Sequence, residues 1–390
     1  MFSNCTALKG GNGTAFDSSK VDKTYARIDG GPSAPGYFTR APAAKAVVEG
    51  GGKTLRFVYD GTNYGTKGTD WFSVAEAEAI DPCYDDVPWY GKRSTVTKVV
   101  FADSFKDYQP TQCGSWFYNF ENLATIVDIG NLDTSAATSF AYMFSNCSAL
   151  TSLDVTGFDT AKVTDMSSMF SGCSKLVTLD VTGFDTAKVT DMSSMFSDCS
   201  SLTSLALSGF NTAKVTYMGW MFYGCSSLTS LDVTSFDTSK VTSMGSMFRD
   251  CSSLKAIAAS EKFVTTGTIY TESMFSGCTA LVGGRGTAYD PAVTDKTYAR
   301  IDDGPSAPGY FTKGTVYTVA FDGNGATSGT MVSCTCRIGQ VYNLPKCAFT
   351  KTGKAFKGWA GSNGRRYDDG VLIFNAAAEG KTLTLTAIWE

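Results

Sequence analysis

The chain has 390 residues, 43% of them hydrophobic and 18% charged, with a formal net charge of −4. That composition is globular, suits two or three domains or one extended repeat array, and offers no basic stripe of the kind nucleic acid demands. No apolar run approaches the ~20 residues that span a bilayer, and the absence of histidine excludes a Ser-His-Asp triad, a Cys-His dyad and an HExxH zinc site.

Residues 1–40 match residues 274–313 at 30 of 40 positions, and both copies carry DKTYARID and GPSAPGYFT. Met1 thus aligns with Met274, inside a repeat, and the expectation is that 1–40 is the tail of a preceding array. The rival is a true start with a frayed half-repeat, which cannot bury its apolar face alone. Residues 41–115 do not repeat. Alternation around a Gly-rich turn predicts a β-hairpin over Lys45–Gly61, and STVTKVVF predicts a strand over Ser94–Phe101. The segment reads as an N-terminal cap with its own small core. Its acidic run, Glu76, Glu78, Asp81, Asp85 and Asp86, has carboxylates for Ca²⁺ but no EF-hand spacing, and reads as a solvated loop.

From residue 116 to 313 a repeat dominates. Phe144, Phe170, Phe196, Phe222 and Phe248 are spaced by 26 residues, and Phe275 follows after 27. Cys147, Cys173, Cys199, Cys225, Cys251 and Cys278 keep step, and a degenerate first copy begins at Trp116-Phe117 with Phe120 in the cysteine place. Within one copy, Leu202, Leu205, Leu207 and Phe210 predict a short strand that stacks into a parallel sheet. Val215, Met218, Met221 and Phe222, at three- and four-residue spacing, predict a short helix or helical turn on the opposite face. Asp159, Asp185 and Asp237, each followed by Thr, are placed to cap the intervening turn. Each copy supplies apolar side chains to one continuous interior, so Phe184→Ala is expected to cost roughly 3–5 kcal/mol.

The one-per-repeat cysteines are not a zinc pattern and read as a buried ladder of small hydrophobes, with disulfides between neighbours the alternative. Asp159/Lys162, Asp185/Lys188 and Asp237/Lys240 predict surface charge rows with weak pairs. Ser252 and Lys255 formally fit a Ser–Lys nucleophile pattern but sit in a repeat turn, and Gly323–Gly325 lacks the rest of a dinucleotide loop. Residues 314–390 lose the period. YTVAFDGNG and KTLTLTAIWE predict strands at the two ends, and Cys334, Cys336 and Cys347 leave room for a Cys336–Cys347 bridge with one thiol over.

One copy differs from its siblings. Where others carry Asp165, Ser168 and Ser171, or Asp191, Ser194 and Ser197, this copy has Tyr217, Trp220 and Tyr223. The polar siblings mark these places as exposed, and Arg249 falls one repeat beyond Tyr223 in position to stack on its ring. Clustered exposed aromatics suit sugar or peptide contacts; packing against a neighbouring repeat is the competing reading.

The repeat FDTxKVTxMxxMFxxCxxLxxL, over roughly 116–282, resembles the BspA-like leucine-rich repeat of bacterial surface proteins. The Pro88–Phe117 segment resembles that family's lead-in. The last segment, Tyr317–Trp389, resembles the Listeria–Bacteroides repeat (internalin-B B-repeat) in VAFDGNGAT, Leu344-Pro345, Phe349, Phe356-x-Gly358-Trp359 and LTAIW, and departs from it in its cysteines. The resemblance implies an α/β leucine-rich-repeat solenoid of parallel sheet and short helices, followed by a small β-grasp-like domain at 314–390. It also implies an extracellular, surface-displayed, adhesin-like protein with anchoring signals elsewhere, and supplies no catalytic residues. The resulting expectation is a non-catalytic, monomeric fragment without cofactor, metal, nucleic acid or membrane insertion. Its partner is a host or matrix protein or glycan, met through Tyr217, Trp220, Tyr223 and Arg249. The alternative is a stalk with no ligand site of its own.

Overall fold

Alternating apolar residues from position 43 build a sheet that closes one end of a stack of repeats. In the computed structural model the described residues are Ala15, Ser19, 42–62, 64–79, 87–314, 316–337, 341–374, 376–377 and 380–390. The expectation for residues 1–40 and the Asp81, Asp85 and Asp86 part of the acidic run lie outside them. Among the described residues the one α-helix is α1 (Val74–Glu78); the rest is strand, turn and 3-10 helix.

Strands β1 (Ala43–Glu49) and β2 (Thr54–Asp60) form the antiparallel hairpin. Its turn runs through Gly50, Gly51 and Gly52, all at positive φ, a region that disfavours residues with a Cβ. Strand β3 (Trp71–Ser73) pairs with β1, β4 (Lys98–Phe101) runs parallel to β2, and β5 (Thr125–Val127) parallel to β4. The inner face stacks Phe57 on Trp116 at 5.3 Å and on Phe101 at 4.9 Å, while Trp89 Nε1 donates to Trp116 O at 2.7 Å. The cap does not have its own core: its buried side chains join those of the repeats in one cluster from Ala44 to Phe311. Phe57 and Trp116 continue the line of rings that the repeats begin.

Successive repeats stack in register. Parallel bridges join Ser139, Asp165, Asp191, Tyr217, Ser243 and Tyr270 in one column. Rings Phe117, Phe144, Phe170, Phe196, Phe222, Phe248 and Phe275 form a second column, with successive centroids 5.6–5.9 Å apart. The six repeat cysteines form a third; all are free and buried. Each thiol donates to the Phe carbonyl of the preceding repeat, from Cys147 Sγ to Phe117 O at 3.2 Å through Cys278 Sγ to Phe248 O at 2.9 Å. Burial raises every one of these thiols above its ordinary pKa, Cys173 and Cys278 to about 12. A fourth column uses the Thr of the FDT motif: Thr186 and Thr212 each donate to a carbonyl of the next repeat and accept that same residue's N–H.

The helix expected over Val215–Phe222 is not formed. Met218, Trp220, Phe222 and Gly224 send their N–H groups to Ser243, Gly245, Met247 and Arg249 of the next repeat. Met221, Tyr223 and Cys225 close turns within their own repeat, onto Met218, Trp220 and Phe222. Half of the N–H groups thus leave the repeat, whereas a helix keeps them all. The strand expected on the Leu pattern forms at the two ends of the stack: as β5 in the degenerate first copy, and late as β6 (Ser230–Asp232) and β7 (Ala256–Ala259), which make a parallel sheet with β8 (Phe311–Lys313). The repeats between them form no strand on this pattern; their Thr156 and Thr182 N–H groups bond to Asp154 and Asp180, as Thr234 N–H does to Asp232 at the end of β6.

One column alternates. Asn146, Asp198 and Asp250 all have left-handed backbone, as do Gly172, Gly224 and Gly277 in the repeats between them. A Cβ on Gly172, Gly224 or Gly277 would lie 2.2–2.3 Å from the side-chain oxygen of Asn146, Asp198 or Asp250. From Asn146 on, each Asn or Asp therefore lies over a glycine that has room for it; before that, Asn119 lies over Asn146, whose Nδ2 donates to Asn119 Oδ1 at 2.7 Å.

Asp159, Asp185 and Asp237 accept from the N–H two residues on, as the turn reading requires. None of the three Asp–Lys pairs closes to salt-bridge distance among the described residues, but the charges still act: bonds from Ser239, with Lys262 and Lys240 nearby, lower the Asp237 carboxyl, and Lys162 acts on Asp133 of the preceding repeat. The stack ends in the DKTYARID segment. There Asp302 accepts from Arg285 N, Thr287 N, Thr287 Oγ1 and Gly304 N. Burial alone pushes this carboxyl up, but those bonds prevail and bring it down to about 2.

After residue 314 a second buried cluster gathers Tyr317, Val319, Cys336, Trp359, Leu383 and Leu385. Strand β9 (Val316–Asp322) lies parallel to β15 (Thr382–Trp389). They are flanked by β10 (Cys334–Arg337) on one side and by β12 (Phe356–Gly361) and β13 (Arg366–Tyr367) on the other. Strands β11 (Val341–Asn343) and β14 (Leu372–Phe374) form a separate ribbon, and among the described residues no helix belongs to this module. The Cys336–Cys347 bridge is not formed. Cys336 and Cys334 alternate onto one side of β10 with sulfurs 4.0 Å apart, and Cys347 Sγ faces Phe349 O.

Candidate ligand-binding face

The turn ribbon that replaces the helix decides where the four singled-out residues point. Tyr217 stands in the bridge column between Asp191 and Ser243, half exposed. Burial raises the Asp191 carboxyl, opposed by bonds from Ser193, and the neighbouring Asp165 adds to the rise. Trp220 occupies the left-handed position of the turn, at φ 56°, and is 50% exposed. Five siblings there are serines, Ser115, Ser168, Ser194, Ser246 and Ser273. A bulky side chain at positive φ is an outlier. Tyr142 shares the conformation but rests on the Tyr118 ring at 5.8 Å.

Tyr223 and Arg249 form a separate pair. The guanidinium sits 5.9 Å from the Tyr223 ring centre and pairs with Asp250 at 3.4 Å. Tyr223 is half-buried and is not among the residues that line the cleft beside Trp220.

What Trp220 does meet is a residue the sequence pattern hides. A cleft of about 350 Å³ is lined by Trp220, Ser243, Gly245, Ser246, Tyr270, Glu272 and Ser273. Tyr270 is 59% exposed and its neighbour Ile269 71%. The repeat holding Tyr270 is one residue longer than the four before it, which shifts it out of column in a strict 26-residue alignment. The bridge from Ser243 to Tyr270 restores the column. Allowing that extra residue in the alignment is the signal that finds it.

Glu76 is paired with Lys67, and Glu78 accepts from Tyr108 and Thr111. Ser252 and Lys255 are both exposed. Among the described residues no group of three or more Cys, Asp or Glu stands ready for a metal, and no helix is long and apolar enough to cross a membrane.

A family model described as Mycoplasma protein of unknown function, DUF285, matches residues 103–201 and 174–284, the end of the cap and the repeats. No curated protein matches. Among solved structures, the chain is similar to a leucine-rich cell surface protein from Faecalibacterium prausnitzii at 18% identity and a TM-score of 0.26. The match covers 59% of this chain and spans about half of that one, 55%.

Proposed function

We propose that this chain is a non-catalytic interaction protein of the bacterial cell surface, a leucine-rich-repeat solenoid that binds a host or matrix protein or glycan through its repeat face. The observation that carries the reading is Trp220. It is a large apolar side chain, half exposed, in a backbone conformation where five other repeats place serine. Exposure forgoes most of the burial free energy of a large aromatic, and the conformation adds a cost of order 1–3 kcal/mol. An outlier of that kind, beside a cleft, supports selection for contact with a ligand. The sequence resemblance to BspA-like surface repeats supports the location.

The test is a binding screen of the full chain against host-matrix proteins and a glycan array, beside the variant Tyr217→Asp, Trp220→Ser, Tyr223→Ser. Each replacement puts in a residue that a sibling repeat carries, so the fold is expected to persist. A ligand held by the parent and lost by the folded variant supports the reading. Equal binding by both moves the site off this face, and no binding by either leaves the stalk reading standing.

A further inference from the structure

We propose that the slot between Trp220 and Tyr270 is a subsite for a neutral glycan, which takes one hexopyranose ring between the two aromatic side chains. The inference rests on the interaction-protein reading above and narrows its ligand. Tyr217, Ser243 and Tyr270 fill one column in three consecutive repeats. Bridged backbones lie about 4.8 Å apart, so the small Ser243 leaves a gap one repeat wide, about 10 Å between its flanking backbones. Trp220 and Tyr270 line the gap with rings, Gly245 and Ser246 line it with almost no side chain, and Ser273 and Glu272 complete it. A Cβ on Gly245 would come within 3.5 Å of Glu272 Oε2, so the carboxylate reaches across at this level.

A pyranose is a slab with C–H faces and a hydroxyl rim. The faces suit aromatic rings. The rim suits the hydroxyls of Ser243, Ser246 and Ser273, each donor and acceptor, and the acceptor oxygens of Glu272. Anionic sugars and phosphates fit less well, because no Lys or Arg lines the slot and Glu272 repels them. An extended peptide would recognise an exposed strand edge. Here the backbone is already used: Trp220 N–H bonds to Gly245 O, Met244 N–H to Tyr270 O and Ser246 N–H to Glu272 O. Recognition must come from ring faces and hydroxyls, which is the chemistry of a neutral sugar.

The experiment titrates the full chain with neutral hexose tetramers (cellotetraose, a mannotetraose and a β-1,4-galactotetraose) and, in parallel, with a sulfated glycan and the matrix proteins of the screen. Variants Trp220→Ser, Ser243→Tyr and Tyr223→Ser are compared, with thermal unfolding as the check on folding. Ser243→Tyr fills the gap with the side chain that Tyr217 and Tyr270 already carry in that column. The expected result is binding of at least one neutral tetramer, weakened about thirtyfold or more by Trp220→Ser and by Ser243→Tyr, with Tyr223→Ser close to the parent. Neutral-glycan binding indifferent to the first two variants overturns the slot. Binding of a matrix protein or the sulfated glycan alone, lost in Trp220→Ser, overturns the ligand class and leaves the interaction-protein reading intact. No binding of any probe overturns both.

Discussion

Asp302 shows how much one carboxylate can hold in place at the end of the repeats. Its bonds tie Arg285, Thr287 and Gly304 together, bridging 17 residues of chain from Arg285. Its pKa, about 2 when folded, lies below the ordinary value of 3.8. A lowered carboxyl stabilises the fold above its unfolded pKa, and that share is lost as pH falls through the folded value. The shift corresponds to about 2 kcal/mol at neutral pH. Asp302→Asn is therefore expected to be less stable than the parent at pH 7, with the gap closing between about pH 4 and pH 2. Urea unfolding midpoints across pH 2–7 check it, and a gap that stays constant with pH refutes the account. At the same scale, Tyr217 and Trp220 were legible from sequence because four polar siblings define their places. Tyr270 was not, because a single inserted residue shifted it out of column.

The turn ribbon is the element that sequence periodicity misnames. Met218, Met221, Phe222 and Cys225 face inward at intervals of three, four and seven, the same intervals that mark one face of a helix. The ribbon reaches that spacing by another route, alternating turns with left-handed residues such as Ser194 and Asp198. Its hydrogen bonds run between repeats, so its existence depends on a neighbour that a one-repeat window does not contain. The Leu pattern predicts a strand in each repeat, yet the middle repeats form none, and the Asp–Thr bond at Asp154 and Asp180 recurs at Asp232 beside β6, so it does not account for the difference. Inward-facing residues were legible; hydrogen-bond partners were not. The ring column carries the ribbon. Phe196 is fully buried between Phe170 and Phe222, at 5.9 Å from each. Phe196→Ala is expected to cost about 3–5 kcal/mol and to be read as a drop in the denaturant midpoint. A change under about 1 kcal/mol would mean that the flanking rings close the void.

Across the whole molecule, the cap and repeats share one buried cluster, while the last module has its own. The boundary near residue 314 was legible because the period stops there. The continuity at the other end was not, because the cap sequence shows alternation but not that Phe57 meets Trp116. That shared interior gives the Trp220 slot a stiff frame, since each wall is tied to the next repeat by backbone bonds.

The alternation of Asp198, Gly224, Asp250 and Gly277 sets a rule of inheritance for such an array. Genes built of near-identical segments grow and shrink by unequal crossing-over, and here the protein distinguishes odd events from even ones. Loss of the Gly224 repeat alone sets Asp198 beside Asp250; Asn119 and Asn146 show that two side chains fit in succession when one donates to the other, but two carboxylates have no proton to share. Loss of the next two repeats together sets Asp198 beneath Gly277 and restores the fit. A chain lacking one Gly-type repeat is expected to unfold at lower temperature than a chain lacking two consecutive repeats, although it is longer. For these repeats the step that keeps the fit is then the pair.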